Sequence, residues 1–224
     1  YGEDALERPI IAITDTESDY NPCHGNAPQL IEAISRGIML AGGLPMRFPT
    51  ISIGESFANP TSMYLRNLMA MDVEESIRAH PLDKTLPAAL MGAVSADVPV
   101  VTVPVGPMVV GHHRGEVLGA CTDCRRLWGL HRAGKMDEAE VEVVSGRLAP
   151  SVGTCMVMGT ASTMAILIEA MGLSLPNSAC IPAPHAERLR CGEASGKVAV
   201  ALAAGGGPRP RALVTRASVR NAMV

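Results

Sequence analysis

Two cysteines in this 224-residue chain stand in loops suited to chemistry. Cys23 lies in Asn21-Pro22-Cys23-His24-Gly25-Asn26, and Cys155 closes Ser151-Val152-Gly153-Thr154-Cys155. Each comes just before a segment with helical spacing. Backbone N–H groups at such a turn point outward and favour the thiolate, the form that ligates metals and attacks electrophiles. A small buried turn residue is the competing reading of either cysteine alone, and two in the same setting favour a shared metal site. Cys121-Thr122-Asp123-Cys124 has C-x-x-C spacing, but structural zinc usually needs two such pairs and there is no second one. A thiol-redox role would need the pair to open a helix, where Arg125 and Arg126 would lower a thiol pKa. Glu55, in Ile53-Gly54-Glu55-Ser56, and Asp83-Lys84 offer hard oxygen or amine groups, each equally readable as a solvated surface residue. His112-His113-Arg114 is a weaker candidate for contact with an anion.

These residues need a frame. Pro9 to Thr14 is a short apolar run rich in β-branched residues, and it predicts a buried strand feeding the loop that carries Cys23. Apolar residues recur at Leu30, Ile34, Ile38 and Ala41, a helical period that Gly42-Gly43 stops. Arg47 to Ile53 is a second strand candidate, demoted in part by Pro49. Asn59-Pro60 is a cap pair for a helix to about Ala79. A helix near Pro87 to Ala96 leads into Val98 to Val105, a strand apolar on both faces. The stretch from Gly106 to Pro150 reads as loop-rich, with a polar helix near Asp137 to Ser145. Ser162 to Met171 is an amphipathic helix ended by Gly172, Gly205 to Pro210 has linker composition, and Thr215 could cap one last short helix. Strands that read as continuous apolar runs between helices predict an α/β fold, with a parallel sheet covered by helices on both faces. In such sheets the ligand site lies beyond the carboxyl ends of the strands, where the loops with Cys23 and Glu55 fall.

Composition narrows the function. Hydrophobic residues make up 47% of the chain and charged residues 18%, enough apolar content for a packed core. Aromatics at 3% and a net charge of −3 argue against stacking on bases or a basic footprint, so no nucleic-acid or membrane partner is expected. No apolar run approaches the roughly 18 residues of a membrane span. No targeting segment is visible and the six cysteines suit a reducing compartment, so the expected location is the cytoplasm.

Taken together, SDYNPCHGN, RGIMLAGGLPMRFPTISIGESF, PTSMYLRNLMAMDVEESIRAHP, DKTLPAALMGA, VGPMVVG, GTCMVMGTASTM and EAMGLSLPNSACIPAP resemble one family. It is the dihydroxy-acid dehydratase and 6-phosphogluconate dehydratase family, which includes the pentonate dehydratases. The matches fall in family order and cover most of residues 9 to 190. The resemblance implies a hydro-lyase that converts a sugar acid (an aldonate) or a 2,3-dihydroxy acid into a 2-keto acid. Three cysteines would hold an iron–sulfur cluster, of the 2Fe–2S type in the pentonate-like subgroup, with Cys23 matching the first and Cys155 the third. Mg²⁺ would be held by Glu55, by an Asp for which Asp83 is the candidate, and by a carboxylated Lys84. A carbamate makes Lys84 an anionic oxygen donor, which an ammonium cannot be. The implied chemistry is β-elimination, in which Mg²⁺ acidifies the C2 proton and iron takes the C3 hydroxyl. A homodimer or homotetramer is expected.

The sequence departs from the family pattern in two places. The family carries a strand and loop resembling DGVVLLGGCDKT where His80-Pro81-Leu82-Asp83 runs straight into Lys84-Thr85. About nine residues, the length of one strand and its turn, are missing there together with the remaining cluster cysteine. Family members also continue into a C-terminal domain that supplies the catalytic base, a Ser, and another Mg²⁺ ligand. The expected organisation is therefore a cluster- and Mg²⁺-binding domain over residues 1–204, followed by a linker over 205–224.

Overall fold

The computed structural model describes residues 3–54, 58, 65–79 and 86–224. After a short helix α1 (Glu3–Leu6), β1 (Ile10–Asp15) runs into the Cys23 loop, which contains one 3₁₀ turn at Pro22–His24. Helix α2 (Ala27–Leu40) ends at Gly42, whose φ of +83° is a turn that glycine accepts without strain. Strand β2 (Leu44–Pro49) pairs parallel to β1, with Ile10 opposite Leu44 and Asp15 opposite Pro49. The expected strand at Arg47 to Ile53 therefore begins and ends earlier, because Pro49 cannot continue a ladder.

Helices α3 (Arg66–Ala79) and α4 (Leu86–Ala96) follow. They pack closely at Gly92, where a Cβ would lie 2.9 Å from Val73 Cγ1. The proposed start of α3 at Asn59-Pro60 lies outside the described residues. Val98 to Val105 is extended but forms no ladder among the described residues; it makes a single bridge, Thr102 to Ser174. The expected strand is corrected to this extent, and Pro99 and Pro104, which have no N–H to donate, contribute to the difference.

The stretch expected to be loop-rich is more ordered than its composition suggests. Strands β3 (Gly111–His113) and β4 (Glu116–Leu118) form a hairpin, and α5 (Ala120–Arg132) and α6 (Glu138–Leu148) cover it. Leu118, Leu127, Val144 and Leu148 make its small core. Asp137 caps α6 by accepting from the Glu140 N–H at 2.7 Å. Helix α7 (Thr160–Ala170) precedes Gly172, another positive-φ stop.

Helix α8 (Ala186–Gly205) crosses α2 at near backbone contact. A Cβ on Gly37 would fall on the Glu193 carbonyl, and one on Gly196 would fall on that of Ile34. This crossing carries Ile38 and Val200 onto Ile11 and Ile13 of β1, forming the main core. Each such side chain contributes about 1.5–3 kcal/mol on burial. Helices α9 (Pro210–Leu213) and α10 (Arg216–Ala222) bring Leu213, Val214 and Ala222 against Ile168, Met171 and Leu173. Thr215 and Ser218 form a capping box at the start of α10. The chain is thus α/β, with a parallel pair of strands covered by helices.

Candidate functional site

The loop after β1 is fastened at its root. Asp15, buried at the end of β1, accepts from Arg47 Nε at 2.6 Å, while Arg47 Nη2 reaches Glu17 at 2.8 Å. These two carboxylates hold the Arg47 guanidinium above its ordinary range. Asn21 donates to Ser52 Oγ at 3.1 Å, and Ser52 Oγ donates to the Thr16 carbonyl at 2.6 Å. Gly54 packs so closely on the Tyr20 backbone that a Cβ would strike its carbonyl. The chain entering Glu55 is therefore docked on the Cys23 loop up to Gly54.

Cys155 reaches the same place from the other side. Thr154 N–H donates to the Gly106 carbonyl at 2.9 Å, and Met108 N–H donates to that of Thr154 at 2.8 Å. Gly153 at φ +118° makes the close pass possible, since a Cβ there would crowd Met108 and Ala183. Asn26 joins the two sides by donating to the Val105 carbonyl at 2.9 Å. Gly25 also sits against Val152, with a would-be Cβ 3.0 Å from its Cγ1.

The result is convergence across 132 positions of sequence. Cys23 and Cys155, both half-buried, line one end of a cavity of 1090 Å³ and are close enough to interact electrostatically. Burial pushes the Cys23 thiol up, the nearby Cys155 raises it further, and its own backbone N–H partly offsets both. His24, beside Cys23, faces Thr16 through Nδ1 at 3.0 Å from its carbonyl, and burial holds its pKa below the ordinary value.

The remaining candidates stand as follows. Glu55, Asp83 and Lys84 lie outside the described residues. Cys121 and Cys124 are both on α5, where Cys124 packs against the Leu118–Leu127–Val144–Leu148 cluster as a small apolar residue would. The Cys121 side chain is outside the described set. His113 and Arg114 both meet Glu140, at 3.1 and 3.0 Å. Among the described residues no three His, Cys, Asp or Glu side chains gather as a metal site. The fit to an iron–sulfur group accordingly rests on two converging soft thiol donors.

Sequence reasoning missed Asp15, Asn21, Asn26, Arg47 and Ser52, the residues that hold these loops. Asn and Asp in a turn-rich loop were the available signal; their partners, such as Val105 for Asn26, are far away in sequence.

A family model described as dihydroxy-acid/6-phosphogluconate dehydratase N-terminal matches residues 8–224. The chain belongs to that family. It is 43% identical to an L-arabonate dehydratase of Azospirillum brasilense, over 96% of this chain and 38% of the relative. It is 40% identical to a 6-deoxy-6-sulfo-D-gluconate dehydratase of Pseudomonas putida, over 89% of this chain and 36% of the relative. Identity to a dihydroxy-acid dehydratase of Halothermothrix orenii is 33%, over 99% and 42%. The chain spans about two fifths of the length of these dehydratase-family relatives. The last alignment runs 235 positions, longer than the chain's own 224 residues, so the relative carries residues that have no counterpart here.

Proposed function

We propose that this chain is the cluster- and metal-binding part of a hydro-lyase that dehydrates an aldonate or a 2,3-dihydroxy acid to a 2-keto(-3-deoxy) acid. The observation that carries the reading is the meeting of Cys23 and Cys155 at one cavity end, beyond the carboxyl end of β1. Family membership and the names of the relatives support the reaction class.

In this reading Cys23 and Cys155 hold an iron–sulfur cluster of the 2Fe–2S type, and Glu55, Asp83 and carboxylated Lys84 hold Mg²⁺. When bound, the pair of metal centres supplies Lewis acidity toward the substrate's hydroxyl and carboxylate oxygens. The protein's own residues fix the thiols. Asn26 ties the Cys23 loop to Val105, whose neighbour Gly106 accepts from Thr154, and the Asp15–Arg47–Glu17 pairing holds the root of the first. Partial burial of Cys23 favours its neutral thiol, and ligation must displace that proton. A reducing cytoplasm is the location in this reading. A homodimer or homotetramer with a small sugar-acid or dihydroxy-acid substrate completes the proposal.

The test is an anaerobic iron–sulfide reconstitution of the polypeptide carrying this chain, in the presence of Mg²⁺. It is followed by 2-keto acid measurement with a panel of pentonates, hexonates, phosphogluconate and dihydroxyisovalerate. Turnover of at least one of these acids, lost on removal of Mg²⁺, is expected. A fully iron-loaded protein inert toward every acid in the panel would overturn the reading.

A further inference from the structure

Arg188 stands where a cation is poorly served. It lies in the first turn of α8, the helix end whose dipole disfavours positive charge. Its side chain is fully buried, and Nε and Nη1 have no hydrogen-bond partner. Burying a charged group without a full set of partners is costly. An apolar side chain of similar volume would fill the space without that cost, so stability alone does not account for an arginine here.

What the guanidinium does hold is backbone. Nη2 donates to the Ser178 carbonyl at 2.6 Å and to that of Ile181. The edge formed by Nε and Nη2 lies on Gly106, where a Cβ would be 2.9 Å from each nitrogen and would strike the Ile181 carbonyl. Both segments connect directly to the cysteine loops. The Gly106 carbonyl accepts from the N–H of Thr154, next to Cys155, at 2.9 Å. The Pro107 carbonyl accepts from the Ala183 N–H at 2.8 Å, and the Ala183 carbonyl accepts from Asn26 of the Cys23 loop at 3.4 Å. One turn further along α8, a Cβ on Gly192 would lie 2.7 Å from Leu30 Cδ1 of α2, the helix that follows the Cys23 loop.

We propose that Arg188 is a positioning residue for the Cys23–Cys155 pair, clamping the Ser178 and Ile181 carbonyls against Gly106 and so fixing the backbone on which both loops hang. It acts through Gly106 and Thr154 on one side and through Ala183 and Asn26 on the other. A planar fork of fixed donors holds several backbone groups in one geometry, which a flexible ammonium or an apolar chain does not. The value of this placement for a metal centre rests on the reading of the two cysteines proposed above; the placement itself does not.

The test treats the metal-free polypeptide carrying this chain with dibromobimane, a short reagent that joins two thiols only when they are close, and follows the Cys23–Cys155 cross-link by peptide mass mapping. Wild type should form it readily. Arg188→Met, which fills the volume without the donors, should form it about tenfold more slowly or worse, with Arg188→Lys between the two. Val144→Ala, which weakens the separate hairpin core, should cross-link like wild type although it too lowers stability. That contrast separates positioning from a general loss of stability. Should Arg188→Met fail to fold, Arg188→Lys decides alone. Arg188 variants that cross-link at the wild-type rate, or a Val144→Ala rate as slow as theirs, overturn the proposal and leave the functional reading standing. Absence of the Cys23–Cys155 cross-link in wild type overturns both.

Discussion

Cys23 is half-buried next to Cys155, and both burial and that neighbour disfavour its thiolate. In the proposed reading a metal must displace that proton, so what holds the two sulfurs together matters as much as the sulfurs. Asn26 bonds from the Cys23 loop to the carbonyls of Val105 at 2.9 Å and Ala183 at 3.4 Å, and Gly106, next to Val105, accepts from Thr154 of the Cys155 loop. Asn26→Ala should cost about 1–3 kcal/mol, read from a urea midpoint, because it strands a buried carbonyl. Arg188 offers a second check at this scale. It is 0% exposed and its Nη2 donates to the Ser178 and Ile181 carbonyls. Arg188→Ala should destabilise by more than Asn26→Ala, since it also empties the space of a much larger, fully buried side chain. The cysteines were legible because a turn before a helix is a local signal. The residues that hold them were not, since Asn26 finds Val105 only after folding.

At the scale of elements, the α2–α8 crossing sets the position of the Cys23 loop, because α2 begins where that loop ends. Gly37→Ala and Gly196→Ala each place a methyl on a facing carbonyl and should cost about 1–3 kcal/mol by thermal or urea unfolding. Gly129→Ala, where nothing lies near, should not destabilise. The crossing is flanked by Glu193, held below the ordinary carboxylate range by Arg36 at 2.8 Å and Lys197 at 2.9 Å. A depressed folded pKa contributes stability that is present above the unfolded value and is lost as pH falls through the folded one. The stability difference between wild type and Glu193→Gln should thus be present at neutral pH, begin to shrink near the ordinary carboxylate pKa and be lost as pH falls further, through the lower folded value. Helix α8 itself was missed in the sequence because its buried face, Arg188, Gly192, Ser195, Gly196 and Val200, holds a single large apolar residue and so leaves no apolar period. Helices α2 and α7 were legible from their periods and stops, α6 as a polar helical stretch, and α10 from its cap at Thr215.

For the whole molecule, local pattern correctly indicated an α/β fold with parallel pairing but overstated the sheet. Val98 to Val105 reads as an inner strand, yet among the described residues its pairing is one bridge, because a strand forms only where a neighbour offers its edge. The core also extends through the C-terminal helices: Leu213 and Val214 pack on Ile168 and Leu173, and Arg211 donates to the Val94 and Ser95 carbonyls at 2.8 and 2.7 Å. Removing residues 210–224 should lower the thermal midpoint by several degrees, in keeping with loss of a packed apolar contact of about 1–2 kcal/mol.

The account stands on two distant thiols gripping one metal centre. Iron content and visible absorbance after anaerobic reconstitution of wild type, Cys23→Ser, Cys155→Ser and the paired controls Cys180→Ser and Cys191→Ser test this most directly. Loss of most bound iron and of the charge-transfer bands in the first two variants, with the controls like wild type, is the predicted result. Undiminished iron and absorbance in Cys23→Ser and Cys155→Ser would contradict it.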